Sequence, residues 1–83
     1  LLRPGTVRFP DKLTKLYLRE VKNVKYQHLS TQLRDYVQIA AETNRKMILI
    51  VRHNTVLSSN LQQYVDDGII QLIRKRSLWN PEY

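Results

Sequence analysis

The chain predicts an α/β domain with a mixed sheet and flanking helices, and three observations point there. Met47 to Val51 is a continuous apolar run of five residues bounded by Lys46 and Arg52. Such a run suits a central parallel strand buried on both faces. On either side of it stand two segments with helical apolar spacing, and further β-rich segments open and close the chain. Strand and helix in alternation mark an α/β architecture. The order read from the sequence is β-β-α-β-α-β, with four strands in one sheet.

Each element has a local reason. Leu1 to Thr6 carries the turn pair Pro4-Gly5. Val7 to Phe9 reads as a short strand ended by Pro10, which cannot donate to a ladder. Asp11 to Thr14 then forms the connecting turn. Leu16 to Val24 is rich in β-formers and makes the second strand. Asn23 to Leu29 leads into a helix capped by Ser30 or Thr31. Leu33, Tyr36, Val37, Ala40 and Ala41 carry that helix to about Glu42, and Asn44 fits its end. Ser58 or Ser59 caps a second helix with Leu61, Tyr64 and Val65 on one face, and Asp66-Asp67-Gly68 ends it. Ile69 to Ile73 is the last strand. The domain spans residues 1–76, and 77–83, with Pro81 and little periodicity, reads as a loose tail.

Composition narrows the class. A chain of 83 residues supplies one small core. With no cysteine there is neither a disulfide framework nor a thiolate metal site. His28 and His53 lack ligand-like spacing. No apolar stretch reaches the length of a membrane span, and no signal peptide opens the chain. The formal net charge is +7 at pH 7, with the basic residues spread from Arg3 to Arg76. A folded surface of that sign attracts a polyanion, nucleic acid first; an anionic membrane surface or an acidic protein would be drawn by the same field.

The sharpest motif lies near the start: Phe9-Pro10-Asp11, followed nine residues after the aspartate by Glu20-Val21-Lys22. Glu20 and Lys22, two apart on a strand, project from one face. Asp11, at the end of the preceding segment, can fold back to meet them. Two carboxylates are hard oxygen ligands for a divalent cation. A lysine beside them can orient a water and offset charge on a phosphate. The layout is that of a metal-dependent phosphodiesterase. The same Glu-x-Lys pair also suits an exposed edge strand, where charge deters aggregation, and the short pattern recurs by chance.

Pro-Asp, then a strand with Glu-x-Lys, then a helix opening with Gln resembles the PD-(D/E)XK nuclease superfamily. The segments Arg8–Asp11, Leu18–Tyr26 and Gln32–Tyr36 are similar to the restriction-endonuclease-fold toxin domains at the C-termini of bacterial polymorphic toxins. The likeness is strongest from Arg8 to Tyr36 and looser to about Lys75. It implies a restriction-endonuclease-like core, in which a helix ordinarily precedes the first strand; in this sequence, only Leu1 to Thr6 stand ahead of that strand. It also implies Mg²⁺ or Mn²⁺ held by Asp11, Glu20 and the backbone carbonyl of Val21, with Lys22 orienting the attacking water. Gln32 and Tyr36, spaced i,i+4 on one side of the helix, match a Gln-x-x-x-Tyr motif that supports the active site and contacts nucleic acid. Tyr36 equally fits the apolar core, and Gln32 an exposed first turn. Arg8, Lys12, Lys25 and Arg34 flank the site in sequence as candidate phosphate contacts, although each also reads as an ordinary solvated charge. Arg74-Lys75-Arg76 would extend such a face or keep an edge strand soluble, and Trp79 and Tyr83 are candidates for base stacking.

The function expected from the resemblance is a metal-dependent endonuclease, DNA before RNA, acting as the toxic part of a bacterial competition system. Such a domain is delivered by a larger parent into the cytoplasm of a target cell. A cognate immunity protein would neutralise it, acidic in keeping with the charge here. Two other classes compete: a basic nucleic-acid-binding module without catalysis, and an interaction domain whose charge serves an acidic partner. An RNA-cleaving toxin using the same site is a further variant.

Overall fold

Residues 10–76 are described by a computed structural model of the chain. Within them the order is β1 (Lys12–Leu13), β2 (Tyr17–Lys22), β3 (Tyr26–Gln27), α1 (Thr31–Glu42), β4 (Lys46–Arg52), β5 (Val56–Leu57), α2 (Ser59–Asp66) and β6 (Ile70–Lys75). A four-stranded sheet runs β1-β2-β4-β6, and β3 and β5 make a separate two-stranded ribbon. β1 is antiparallel to β2, while β2, β4 and β6 are mutually parallel. This is a mixed α/β sheet with two helices, as expected of a restriction-endonuclease-like core. The expected first strand at Val7–Phe9, Arg8, and the tail at 77–83 lie outside the described residues.

Register explains where the core sits. Leu18, Met47 and Ile70 stand in line across three strands, and Glu20, Leu49 and Leu72 form the next row. Side chains two apart share a face, so Lys22, Val51 and Arg74 make a third row on that same side. Leu33, Tyr36 and Ala40 of α1 and Leu61 of α2 pack into one buried cluster with Leu18, Met47, Leu49, Val51 and Ile70. Each such aliphatic side chain contributes roughly 1.5–3 kcal/mol by leaving water. The first row is therefore pure core, and only beyond it does polar chemistry enter the same face.

The helices begin and end as their sequences dictate. Ser30 Oγ accepts from the Leu33 N–H at 3.1 Å, and Ser58 Oγ accepts from the Leu61 N–H at 3.4 Å. Both are N-caps satisfying a donor that the helix itself leaves free. Both helices close on left-handed residues, Asn44 at φ 55° and Gly68 at φ 77°. The Arg45 N–H reaches the Ala40 carbonyl at 2.8 Å and the Ile69 N–H reaches the Tyr64 carbonyl at 2.9 Å. Those are the six-to-one bonds of Schellman motifs.

Four expectations need correction. Asp11–Thr14 is not simply a turn, because Lys12 and Leu13 pair with Arg19 and Leu18 as β1. The turn is tighter and later: Thr14 Oγ1 accepts from the N–H groups of Leu16 and Tyr17, so reversal is complete in few residues. That also moves the start of β2 from Leu16 to Tyr17, and the strand ends at Lys22 rather than Val24. The last strand runs Ile70–Lys75 rather than Ile69–Ile73, since the Schellman bond of Ile69 belongs to the end of α2. Finally, β3 and β5 add two strands of two residues each, too short to leave a periodic trace.

Candidate active site

β2 carries the site. Its Leu18 side chain is fully buried, Glu20 is 5% exposed, and Lys22 is half-buried. One strand face thus passes from core to polar cluster within four residues. Burying a lone carboxylate would cost several kcal/mol, and here it has partners. Glu20 Oε1 accepts from the Asp11 N–H at 3.2 Å, and Glu20 Oε2 pairs with Lys22 Nζ at 3.1 Å.

Asp11 is fixed in return. Its Oδ2 accepts from the Val21 N–H at 2.7 Å. The two acids are therefore locked by crossed bonds, each carboxylate on a backbone N–H of the other's segment. β1 ends its pairing at Arg19, so Val21 lies past the partner strand and its N–H is available to a side chain. Backbone N–H and C=O of one strand residue point to the same edge. The Val21 carbonyl therefore faces the edge on which Asp11 sits.

From Lys22 the contacts continue into α1. Lys22 Nζ donates to Gln32 Oε1, and Gln32 Nε2 donates to the Tyr36 hydroxyl at 3.4 Å. Ser30, by capping α1, sets the helix phase that turns Gln32 and Tyr36 toward β2. Tyr36 is at once core and part of this network: its ring is fully buried and its hydroxyl meets Gln32. Asp11, Glu20, Lys22, Gln32 and Tyr36 thus form one continuous chain of polar contacts.

Burial, reinforced by the neighbouring Asp11 carboxylate, raises the Glu20 pKa above 4.5, with Lys22 opposing the rise. Two acids held together against their mutual repulsion, one of them desolvated, are what a cation would relieve. The donor set fits a divalent metal: two hard carboxylates and a carbonyl on the same edge, in a chain without cysteine. Among the described residues no group of three or more acidic, histidine or cysteine side chains gathers, so a cation on this pair would complete its shell with other oxygens, such as backbone carbonyls or water.

Other expected residues are less central. Lys12, Lys25 and Arg34 are exposed and lie outside the chain of contacts just described. Two features had no signal in the sequence. The crossed bonds of Asp11 and Glu20 depend on where β1 stops. The outward pair Tyr26 and Val56 depends on a ribbon too short to read.

A family profile described as restriction endonuclease fold toxin 7 matches residues 3–61, a span that holds Asp11, Glu20, Lys22, Gln32 and Tyr36. No curated protein and no solved structure matches the chain. The matched span takes in β1 through the start of α2, about seven-tenths of the sequence, and the chain belongs to the restriction endonuclease fold toxin 7 family.

Proposed function

We propose that this domain is a metal-dependent endonuclease that hydrolyses phosphodiester bonds of nucleic acid, DNA in the first instance, as the toxic part of a bacterial competition system. The observation that carries the reading is the continuous chain Asp11–Glu20–Lys22–Gln32, in which two locked carboxylates meet an oriented ammonium. Asp11 and Glu20 would hold Mg²⁺ or Mn²⁺, with the Val21 carbonyl as a third oxygen. When bound, such an ion polarises a phosphate and lowers the pKa of a water.

The residues of the chain do the rest. Glu20 anchors Lys22 on one side and Gln32 anchors it on the other, so the ammonium keeps one direction. From there it donates to the attacking water or to a non-bridging phosphate oxygen, offsetting negative charge that grows in the transition state. Gln32 spends its amide on Tyr36, which fixes which of its ends faces Lys22. Net positive charge draws the polyanion to the surface before chemistry begins.

Family membership supports the toxin role, delivery by a larger parent into the cytoplasm of a target cell, and a cognate immunity protein as partner. The charge favours an acidic one. Among the described residues no helix is long and apolar enough to cross a membrane.

The test is cleavage of supercoiled plasmid by the purified chain with Mg²⁺, with EDTA, and by Glu20→Gln. Nicking that needs Mg²⁺ and vanishes in the variant is the expected result. Failure on plasmid but metal-dependent cleavage of tRNA or total RNA would move the substrate to RNA and keep the site. Tight binding without cleavage of either, unaffected by Glu20→Gln, would leave a binding module.

A further inference from the structure

Charge is divided along the strands. Because α1 and α2 run back against parallel β2, β4 and β6, the ends of the helices meet the beginnings of the strands. Glu42, Asp66 and Asp67 sit at those helix ends, but Lys15, Arg45 and Lys46 stand at the adjoining strand beginnings, so charge is near balance there. At the opposite end, among the described residues, the acids are the site pair and Asp35, which is buried. Lys22, Arg52, Arg74 and Lys75 stand at the strand ends and Lys25 in the loop after β2, so the bases outnumber the acids at this end. A polyanion is steered to that end.

The β3–β5 ribbon stands on it. Tyr26 and Val56 are register partners, 56% and 59% exposed, while Gln27 is buried and Leu57 packs against the core. An aromatic ring and a branched aliphatic thus form an outward apolar step. The backbone beneath is firmly held. The Val56 N–H donates to the Lys25 carbonyl at 2.8 Å, Thr55 Oγ1 to the Val24 carbonyl at 2.7 Å, and Arg74 to the Thr55 carbonyl at 2.7 Å. A ring presented on a rigid backbone loses little freedom when it engages a ligand.

Position relates this step to the active site. Tyr26 follows Lys22 by four residues, which bounds their Cα separation at about 14 Å. The two therefore lie within at most about four 3.4 Å duplex steps of one another, which is fewer nucleotides on an extended single strand. The base faces of a duplex are hidden in the stack, so an isolated ring can engage only an unpaired base.

We propose that Tyr26, beside Val56 on the β3–β5 ribbon, stacks on an unpaired base of the substrate a few nucleotides from the cleaved phosphate, with Lys25, Arg52 and His53 along the adjoining backbone. The domain then prefers single-stranded or locally melted nucleic acid. This inference rests on the phosphodiesterase reading of the Asp11–Glu20–Lys22 cluster.

The experiment measures anisotropy of a labelled single-stranded oligonucleotide and of the matching duplex, without metal and with Glu20→Gln in every protein so that nothing is cut. Tyr26→Ala and Tyr26→Leu each weaken single-strand binding by roughly tenfold, the loss expected for one base–aromatic stack. Both leave duplex binding within about twofold, and Tyr26→Phe retains full affinity. Full single-strand affinity in Tyr26→Leu would overturn the inference, since an apolar contact without a π-face would then suffice. Equal losses on both ligands would overturn it too. Cleavage by the chain with native Glu20 runs alongside. If it cuts while Tyr26→Ala binds and cuts unchanged, the stacking inference falls and the nuclease stands. If it cuts no nucleic acid yet the Tyr26 effect is present, the nuclease reading falls and the stacking surface stands.

Discussion

β2 and β4 are parallel neighbours, paired residue for residue from Tyr17 with Lys46 to Lys22 with Val51. They do opposite jobs. β4 presents Met47, Leu49 and Val51 to the helices, all buried. β2 presents Leu18, Glu20 and Lys22 to the same side, giving up two apolar positions to a carboxylate and an ammonium. Fold stability resides in β4, and the proposed chemistry in β2. The lesson is that a polar site can be set into a core face when the adjacent strand keeps its whole row apolar.

The largest effect that could break this contrast is on cleavage. Asp11→Asn or Glu20→Gln should lower the cleavage rate at least about a thousandfold, because several kcal/mol of transition-state stabilisation go with the metal site. The fold should survive, as judged by an unchanged circular dichroism spectrum. Lys22→Ala should cost about a hundred- to a thousandfold in the same assay. Near-normal rates in all three would move the site elsewhere.

Next comes the other strand. Leu49→Ala in β4 should cost about 2–5 kcal/mol of unfolding free energy in a urea titration, by removing fully buried methyl groups and leaving a cavity. A loss under 1 kcal/mol would show that β4 is not the structural strand.

Gln32→Ala sharpens the boundary between the two jobs. It touches Lys22 and Tyr36 rather than the carboxylates, so cleavage should fall about ten- to a hundredfold, as for other residues that orient a site at second hand. Stability should move by about 1 kcal/mol or less.

The smallest effect is a slope with pH. Burial favours the neutral form of Glu20 in the folded chain, raising its pKa above 4.5. The native state then holds the proton more tightly than the unfolded state does. This group therefore lowers stability as pH rises from about 4.5 through the raised pKa, and adds no further change above it. Without metal, the difference in stability between Glu20→Gln and the parent chain should widen across that interval. A difference that stays flat in urea titrations from acid to neutral pH would contradict the assignment.

Much of this was legible in the sequence, for identifiable reasons. Ser30 and Ser58 stand where a side-chain oxygen must accept the helix's free N–H, so both helix starts were readable. The Met47–Val51 run announced the central strand because burial on both faces suppresses alternation. Glu20 and Lys22 were readable as a pair because a strand has a period of two. The tight turn at Thr14 was not, since its hydroxyl replaces the residues a longer loop would use. Nor was the β3–β5 ribbon, whose register comes from contacts such as Thr55 to Val24, 31 residues apart. Long-range bonds of that kind leave no local pattern.

The central claim, that β2 holds a cation site at the expense of its own stability, is most directly tested by equilibrium unfolding of the parent chain and Glu20→Gln, each with and without Mg²⁺. Without metal, Glu20→Gln should match or exceed the parent, because the desolvated charge beside Asp11 is gone. With Mg²⁺ in excess only the parent should gain stability, as a ligand bound to the native state requires. A Glu20→Gln chain clearly less stable than the parent, together with no Mg²⁺ response in either, would contradict it.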